Sequence, residues 1–278
     1  MATTINQDSI TAQALAPGVN RQQLLTRERV PGTKVLLERL SFEPGARLDL
    51  EIAPTSLAWF QMLSGKSNLH HSNTTTLLTD AHIVFVPGGF RGTLSARSES
   101  ALLYAEVPDA ARFDSRIGET APQMRIVDWT REPVLDSQHD ARKRVYIATP
   151  RLFDTTAIKG EMIIYPPGTQ AANHHHEGAE HFMFVLKGHG TAYANEQPIP
   201  VRAGDLIYYA ERERHFLKSE SAEDMAFVEF FVPGKYKTVW APGAPVCTWT
   251  PTGRDIRGEK PAREIAAHSS ALPTPQDV

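Results

Sequence analysis

The chain has 278 residues, of which 41% are apolar and 22% charged, a composition typical of a soluble globular protein. Its net charge of −3 and its scattered basic residues give no electrostatic basis for binding nucleic acid or an anionic membrane. No apolar run approaches the roughly 18 residues of a transmembrane helix. The single cysteine, Cys247, excludes an intrachain disulfide and a cysteine-based zinc site. We therefore expect a cytoplasmic protein.

The chain divides by composition into five segments. Residues 1–20 are polar, lack the pattern of a secretory signal, and predict a flexible tail. Residues 21–112 carry short apolar runs bounded by turn residues, such as KVLLERLSF and AHIVFVPGG, which are typical of β-strands. Residues 113–140 are more polar and predict a connecting segment, after which residues 141–238 resume the strand pattern. Residues 239–278 are rich in Pro, Gly and charge, and predict an extension that wraps the surface or frays.

The two strand-rich segments are copies of one unit. Three pairs of matching positions lie 123 residues apart: Gly45 and Gly168, Gly65 and Gly188, and Ala81 and Gly204. A constant offset at three separate places indicates an internal repeat. A later pair of Val-Pro dipeptides, at 107–108 and 232–233, is 125 apart, so the second copy gains two residues in a late loop.

Residues 174–181, HHHEGAEH, concentrate histidine and glutamate. Imidazole and carboxylate groups at such density are candidate ligands of a divalent metal. Three ligand sets can be drawn from the stretch, namely His174/His176/Glu180, His175/Glu177/His181 and His174/His176/His181.

The spacing around this stretch resembles the cupin superfamily. Gly168 is followed after five residues by His174, and His176, His181 and Gly188 fall at the spacing of the first cupin motif, while His215 follows Gly204 as in the second. His181 stands where the family usually has Glu, and Ala210 and Arg212 replace its usual Pro and Gly. The resemblance implies an all-β chain of two tandem cupin barrels (double-stranded β-helix, or jelly roll), at 21–112 and 141–238. It also implies metal ligands His174, His176, His181 and His215.

Strand geometry agrees with this set. Residues i and i+2 of a strand face the same side, so His174 and His176 point together and His175 points away. Glu180 has the wrong spacing to Gly188 and faces opposite to His181. We expect Glu177, Glu180 or backbone carbonyls to accept hydrogen bonds from the histidines. In the first copy, the offset of 123 places Glu51, Ala53, Ala58 and Gly92 at the ligand positions, which predicts a metal-free structural barrel.

Four neutral imidazoles suit iron(II) or manganese(II), and zinc, nickel and copper also accept such ligands. In AFVEFFVP (226–233), Phe227, Glu229 and Phe231 share one strand face. If that face lines the barrel, Glu229 is a candidate catalytic base; otherwise it meets solvent or pairs with Arg212 or Arg214. Candidate pocket residues are Phe227, Phe231, Phe182 and Arg212.

The two-barrel arrangement resembles the (S)-ureidoglycine aminohydrolases, which hold manganese in the C-terminal cupin. That family's first ligand is Glu, here His174, and its last is Gln, here His215. Its substrate-binding Tyr and Lys fall at Phe227 and Phe231. The histidine-rich site instead resembles that of diketone-cleaving cupin dioxygenases.

Three functions follow from these resemblances. The first is a non-haem Fe(II)/Mn(II) oxygenase acting on a small apolar, aromatic or diketone-like substrate. The second is an aminohydrolase-like hydrolase, lyase or isomerase, in which the metal acts as a Lewis acid. The third is a non-catalytic metal- or ligand-binding cupin. We expect a small-molecule substrate and a homodimer or higher homo-oligomer.

Overall fold

The structure is a computed structural model that describes residues 2–120, 122–273, 275 and 278. The chain is 51% strand and 5% helix, which confirms the predicted all-β class. None of the helices in these residues is long and apolar enough to cross a lipid bilayer. The chain forms two compact units, an N-terminal unit of Gln7–Trp129 and Phe153–Thr155, and a C-terminal unit of Met1–Asn6, Thr130–Leu152 and Thr156–Val278.

The strands are numbered along the chain. Those of the first half are β1 (Thr3–Asn6), β2 (Gln13–Ala16), β3 (Val19–Leu25), β4 (Leu36–Phe42), β5 (Arg47–Glu51), β6 (Leu57–Ser64), β7 (Ser67–His71), β8 (Thr74–Leu78), β9 (His82–Val86), β10 (Arg91–Ala96), β11 (Ser100–Val107) and β12 (Arg125–Asp128). Those of the second half are β13 (Val134–Ser137), β14 (Lys143–Ala148), β15 (Lys159–Tyr165), β16 (His174–Glu177), β17 (Glu180–Lys187), β18 (His189–Ala194), β19 (Gln197–Arg202), β20 (Asp205–Tyr209), β21 (His215–Ser219), β22 (Met225–Val232), β23 (Lys237–Trp240), β24 (Thr248–Pro251) and β25 (His268–Ser269). The helical segments are short: α1 (Pro150–Phe153), and 3₁₀ turns at Gln7–Ser9, Ala110–Arg112 and Trp129–Arg131.

The N-terminal unit is an antiparallel barrel of two sheets. One has the strand order β12-β9-β6-β11-β4-β3-β2 and the other β5-β10-β7-β8. Inward residues of both sheets form one apolar core, in which Leu50, Leu69 and Leu94 of the smaller sheet share a cluster with Phe60 and Leu102 of the larger. The barrel interior is therefore filled by hydrocarbon.

The C-terminal unit repeats this plan. Its sheets have the orders β1-β20-β17-β22-β15-β14-β13-β24-β25 and β19-β18-β21-β16-β23. An apolar cluster that includes Met183, Val185 and Phe227 of the larger sheet and Ala192 and Leu217 of the smaller one fills part of the space between them.

Three segments that the composition marks as polar are more ordered than expected. In place of a flexible tail, Thr3–Asn6 pairs with β20 and Gln13–Ala16 pairs with β3. The connecting segment contributes β12 and β13. The extension contributes strands β24 and β25, and Trp249 within it is fully buried. These strands lie at the edges of the sheets (β1, β2, β12 and β25) or close to an edge (β13 and β24). Strands there need little apolar surface, so their polar composition conceals them.

Strand pairing confirms the repeat at the level of register. Ala58 pairs with Val86 in the N-terminal unit, and His181 pairs with Tyr209 in the C-terminal unit. Both residues of the second pair lie 123 positions after their counterparts in the first. Gly65 and Gly188 occupy matching turns with φ of 76° and 82°. An added Cβ would lie 2.1 Å from the Glu99 carbonyl oxygen at the first and 2.9 Å from Met225 Cα at the second, so both turns require glycine.

The offset changes by one residue at β5. Leu50 pairs with Gly92, whereas His174 pairs with His215, so Leu50 is the counterpart of His174. The expectation that Glu51 and Ala53 occupy the ligand positions was therefore wrong, because the loop after Gly45 is one residue shorter than the loop after Gly168. The counterparts of His174 and His176 are Leu50 and Ile52, both buried in the apolar core.

Candidate metal centre

The four histidines assigned as ligands come together inside the C-terminal barrel. His174 and His176 share one face of β16, and His215 on β21 lies directly opposite His174. Side-chain nitrogens of His174, His176 and His215 all lie within 4.8 Å of one another. His181, at the start of β17, places Nδ1 3.3 Å from Nε2 of His215.

Hydrogen bonds fix which nitrogen faces the centre of this cluster. Nδ1 of His174 donates to the Ala172 carbonyl at 2.8 Å, and Nδ1 of His215 donates to the Glu213 carbonyl at 2.7 Å. Both rings therefore keep an Nε2 lone pair for a ligand. His176 places Nδ1 3.3 Å from the Thr238 hydroxyl, and its buried Nε2 has no hydrogen-bond partner among the residues that the structure describes.

Burial keeps these imidazoles neutral. Desolvation holds the pKa of His174 and His176 well below the usual range, and lowers the pKa of His181 and His215 to about 3. Neutral imidazole is the form that binds a metal, and an unpartnered buried nitrogen is costly unless a ligand satisfies it. The donor set therefore fits a borderline divalent cation.

The remaining members of HHHEGAEH point elsewhere. Nε2 of His175 lies 3.7 Å from Glu177, whose carboxylate is also 3.8 Å from the Arg212 guanidinium. Glu180 accepts a hydrogen bond from the Tyr208 hydroxyl at 3.0 Å. In the contacts that the structure describes, backbone carbonyls, rather than Glu177 or Glu180, accept hydrogen bonds from the clustered histidines.

The carboxylate that meets the cluster is Glu229. Its Oε2 lies 3.0 Å from Nε2 of His181, and strand alternation on β22 turns it to the same face as Phe227 and Phe231. Burial and the neighbouring Glu161 carboxylate raise the pKa of Glu229. The alternative pairing with Arg212 or Arg214 is not found among the described contacts of Glu229.

The histidines open on a cavity of about 360 Å³, which is the size of a small-molecule site. Phe227, Glu229 and Phe231 lie in its wall, as the shared strand face predicts. Two other candidate pocket residues do not lie there. Phe182 is next to His181 on the strand, faces the opposite side and packs against Phe230 with ring centroids 5.6 Å apart. Arg212 has a side chain that is 68% exposed and lies near Glu177 and Glu211.

The sequence analysis did not predict the charged residues of the cavity wall. Arg142, Arg144 and Lys159 line the cavity, and Glu161 lies beside them, completely buried. Nε of Arg144 is 2.7 Å and Nζ of Lys159 is 2.8 Å from the Glu161 carboxylate. The signal was present as alternation in ARKRVY and KGEM, where charged residues occupy the inward positions of strands.

The ion pairs keep these groups charged. Burial acts to lower the pKa of Lys159, but the negative charge of Glu161 outweighs it and raises that pKa. Burial acts in the opposite sense on Glu161, and the two cations outweigh it and lower the pKa of that carboxyl. The cavity wall therefore carries buried, paired charge beside the histidines.

The C-terminal segment completes the wall. Trp240, Trp249 and His268 all line the cavity. Nδ1 of His268 donates to the Ala266 carbonyl at 3.0 Å, and its Nε2 lies 2.7 Å from the Tyr146 hydroxyl, which also accepts from Arg144 at 3.1 Å. The segment was expected to wrap the surface or fray, and the structure adds that its aromatic residues pack on β14.

Known proteins resemble the C-terminal barrel in sequence and most of the chain in fold. Residues 161–231 match the cupin domain family. An oxalate-binding protein from Thermotoga maritima is 28% identical over 67 residues, which are 24% of this chain and 55% of the relative's length.

Solved structures of oxalate decarboxylase from Bacillus subtilis superimpose on most of the chain. A single-substitution variant gives a TM-score of 0.69 at 12% identity, and the enzyme at pH 4.6 gives 0.68 at 13% identity. Each covers 85% of this chain and 78% of the decarboxylase chain. At such identity the likeness shows the fold. The chain therefore has a cupin domain match within its C-terminal barrel and the two-barrel fold of these structures.

Proposed function

We propose that this chain is a bicupin and a metal-dependent enzyme whose C-terminal barrel holds one divalent ion through His174, His176, His181 and His215. The observation that supports it most directly is the convergence of buried, neutral imidazoles, one of them with an unpartnered Nε2, at the wall of a cavity of about 360 Å³. Iron(II) or manganese(II) fits this donor set, and each supplies both Lewis acidity and one-electron chemistry with dioxygen when bound.

The first candidate reaction is that of a non-haem oxygenase acting on a small apolar, aromatic or diketone-like substrate. Phe227, Phe231 and Trp240 supply aromatic wall that binds such a substrate and excludes water. Glu229, next to Nε2 of His181, is our candidate for the group that holds or accepts a proton during the reaction. Two relatives of known name act on or bind oxalate, and a charged wall is consistent with a substrate that carries oxygen anions.

A second candidate is supported by a specific contact. The hydrolase family that the architecture resembles uses a Lys and a Tyr toward its substrate, and Phe231 and Phe227 stand at those positions. In the cavity, however, Lys159 donates a hydrogen bond to the Tyr236 hydroxyl at 3.1 Å and lies 5.9 Å from the Phe231 ring. A Lys–Tyr pair from β15 and from the loop before β23 thus lies near the same place, which supports an aminohydrolase-like hydrolase, lyase or isomerase.

Elemental analysis after anaerobic purification, followed by oxygen uptake with diketones, phenols and ureides, separates these functions. The first predicts stoichiometric iron or manganese and substrate-dependent oxygen uptake. Metal with product formation but without oxygen uptake supports the second. A protein that binds a metal or ligand without turnover is the third, a non-catalytic cupin. Absence of bound metal would contradict the proposed centre. We also expect a cytoplasmic homodimer or higher homo-oligomer.

A further inference from the structure

Lys159 distinguishes the cavity-bearing barrel from the filled one. In the C-terminal unit Lys159 pairs with Phe231, and in the N-terminal unit its counterpart Leu36 pairs with Glu106. The next strand along confirms this correspondence. Phe231 also pairs with His181 in the C-terminal unit, and Glu106 also pairs with Ala58, the counterpart of His181, in the N-terminal unit. The ammonium group is therefore present in the barrel that has the histidines, and a leucine replaces it in the barrel that lacks them.

The neighbouring ion pair does not differ in this way. Arg144 and Glu161 of the C-terminal unit correspond to Arg21 and Glu38 of the N-terminal unit. Arg21 and Glu38 also approach each other, at 3.6 Å. An Arg–Glu pair thus belongs to both copies, which indicates a structural role.

Two buried cations of the cavity wall, Lys159 and Arg142, have apolar counterparts, Leu36 and Val19, in the N-terminal unit. Arg142 is paired with Asp140 at 2.8 Å, so Lys159 is the better candidate for binding a ligand.

The ammonium group of Lys159 has donor capacity left over. Its side chain is 7% exposed, and two of its three N–H groups are directed at Glu161 and at the Tyr236 hydroxyl. Within the residues that the structure describes, the third has no hydrogen-bond acceptor. The ammonium group lies 5.2 Å from the centroid of the Tyr146 ring, and Lys159 lies in the cavity wall. Arg144 shares the same Glu161 carboxylate. The Glu229 carboxyl is the other acid of this cluster and lies next to Glu161. The N–H group that Lys159 does not use toward Glu161 or Tyr236 favours an anionic oxygen in the adjoining space.

Sheet geometry places this group within reach of a molecule that also contacts the histidines. His181, Phe231 and Lys159 lie side by side on β17, β22 and β15. Two strand spacings separate the outer backbones by about 9–10 Å. The Phe231 ring between them stacks on His181 at 4.4 Å and on Tyr236 at 4.1 Å, so the intervening surface is aromatic.

We propose that Lys159 binds an anionic oxygen, such as a carboxylate, of a substrate whose other end reaches the histidine centre across the Phe231 ring. The substrate class is then a small aromatic or apolar organic anion. This inference rests on the proposed function only in assigning the cavity to substrate. It identifies Lys159 as the residue that sets the preference for charge.

The test compares charged probes with neutral isosteres on the full chain. Benzoate and benzamide, and phenylacetate and phenylacetamide, are titrated while the fluorescence of the cavity tryptophans is recorded. We expect the wild type to bind the carboxylates about 10- to 100-fold more tightly than the amides, the range for a charge-assisted hydrogen bond. Lys159→Leu, which copies Leu36, should abolish that preference, and Lys159→Arg should retain it.

Lys143→Leu is the matched control, because Lys143 lies on the adjacent strand and pairs with Asp136 at 40% exposure, away from the cavity. Circular dichroism and thermal unfolding establish that each variant is folded, and Lys159→Met replaces Lys159→Leu if the latter is not. A preference that survives loss of the ammonium group, or a wild type that binds acid and amide equally, would overturn the proposal.

Titration of the metal-free and the manganese-loaded protein separates this proposal from the proposed function. A carboxylate preference that depends on Lys159 in both forms supports the anion site, whether or not elemental analysis supports the metal centre. A preference that is present only with manganese and persists in Lys159→Leu would assign anion binding to the metal and contradict our inference.

Discussion

The two barrels have matching strands, but the interior of one is polar around a cavity and the interior of the other is apolar and filled. At the positions of the four proposed ligands the C-terminal barrel has His174, His176, His181 and His215, and the N-terminal barrel has Leu50, Ile52, Ala58 and Gly92. The first set surrounds a cavity with polar walls, whereas the second, with the Phe90 ring packed near Gly92, is part of a hydrocarbon core. The comparison teaches that the fold does not need the polar centre, so the polar centre is maintained for another purpose.

The largest effect should come from the ring with the unpartnered nitrogen. His176→Ala removes a donor from the centre of the cluster, and we expect metal affinity to fall by at least about 100-fold, since even outer partners of such ligands contribute 10- to 100-fold. Elemental analysis after dialysis measures it. His175→Ala is the control, because that side chain faces away toward Glu177. Equal metal loss in both variants would mean that the cluster is not the binding site.

Loss of the Arg–Glu ion pair should destabilise the C-terminal barrel more than the N-terminal barrel. Glu161→Ala leaves Arg144 and Lys159 buried without their carboxylate, and we expect a loss of about 3–5 kcal/mol in the free energy of unfolding. Glu38→Ala removes the counterpart, whose side chain and that of Arg21 are 17% and 34% exposed, and should cost about 1 kcal/mol or less. Urea denaturation of both variants measures the difference. Equal losses would refute the view that the C-terminal pair is the more deeply buried.

A histidine introduced into the N-terminal barrel, at the position where the C-terminal barrel has one, should lower the free energy of unfolding. Ala58 is fully buried among apolar side chains, so Ala58→His overpacks the core and buries a polar ring, and we expect it to cost about 2–4 kcal/mol. Thermal and urea unfolding measure the cost. Ala53→His is the control, because Ala53 is exposed and should tolerate the change within about 0.5 kcal/mol. A large cost at Ala53 would contradict the one-residue shift in register at β5.

The smallest effect concerns acid stability of the N-terminal unit. Hydrogen bonds from Arg116 lower the pKa of Asp114 to about 2 against the opposing effect of burial. A lowered folded-state pKa stabilises the fold fully above the ordinary value of about 4, and that contribution is lost as the pH falls toward 2. Because Arg116 is half exposed, we expect about 1 kcal/mol. Asp114→Asn should flatten the dependence of urea stability on pH between 5 and 2, whereas Asp154→Asn, a change at an exposed partner of Arg116, should not.

The features that the sequence predicted correctly are those that depend on the spacing of residues along the chain. The constant offset of 123 predicts two copies of one β unit, and the i, i+2 alternation places His174 and His176 on one strand face. The resemblance to the cupin motifs added the barrels and the positions of His181 and His215.

The buried charges Arg144, Lys159 and Glu161 were missed. The alternation in ARKRVY and KGEM puts these charged residues on one strand face, but that face can be assigned to the interior only when their partners on other strands are known. Glu51 was misplaced for a similar reason, since a one-residue loop deletion is invisible until a cross-strand pairing such as Leu50 with Gly92 shows the register.

The C-terminal segment was also undervalued, for a different physical reason. Trp249 and Cys247 belong to a small core with Leu135 and Tyr146, which forms only when residues more than 100 positions apart meet. Local composition, dominated there by Pro, Gly and charge, carries no trace of such contacts.

The wall that this segment provides has a consequence for how such an enzyme could diversify. The cupin domain match ends at residue 231, yet Tyr236, Trp240, Trp249 and His268 all face the cavity. The histidines proposed as metal ligands and a large part of the cavity wall are thus encoded in separate, consecutive stretches of the gene. Recombination or drift in the later stretch can reshape substrate choice while the ligand set stays intact. Chimaeras that exchange only the residues after 236 between bicupins are therefore a direct route to altered selectivity.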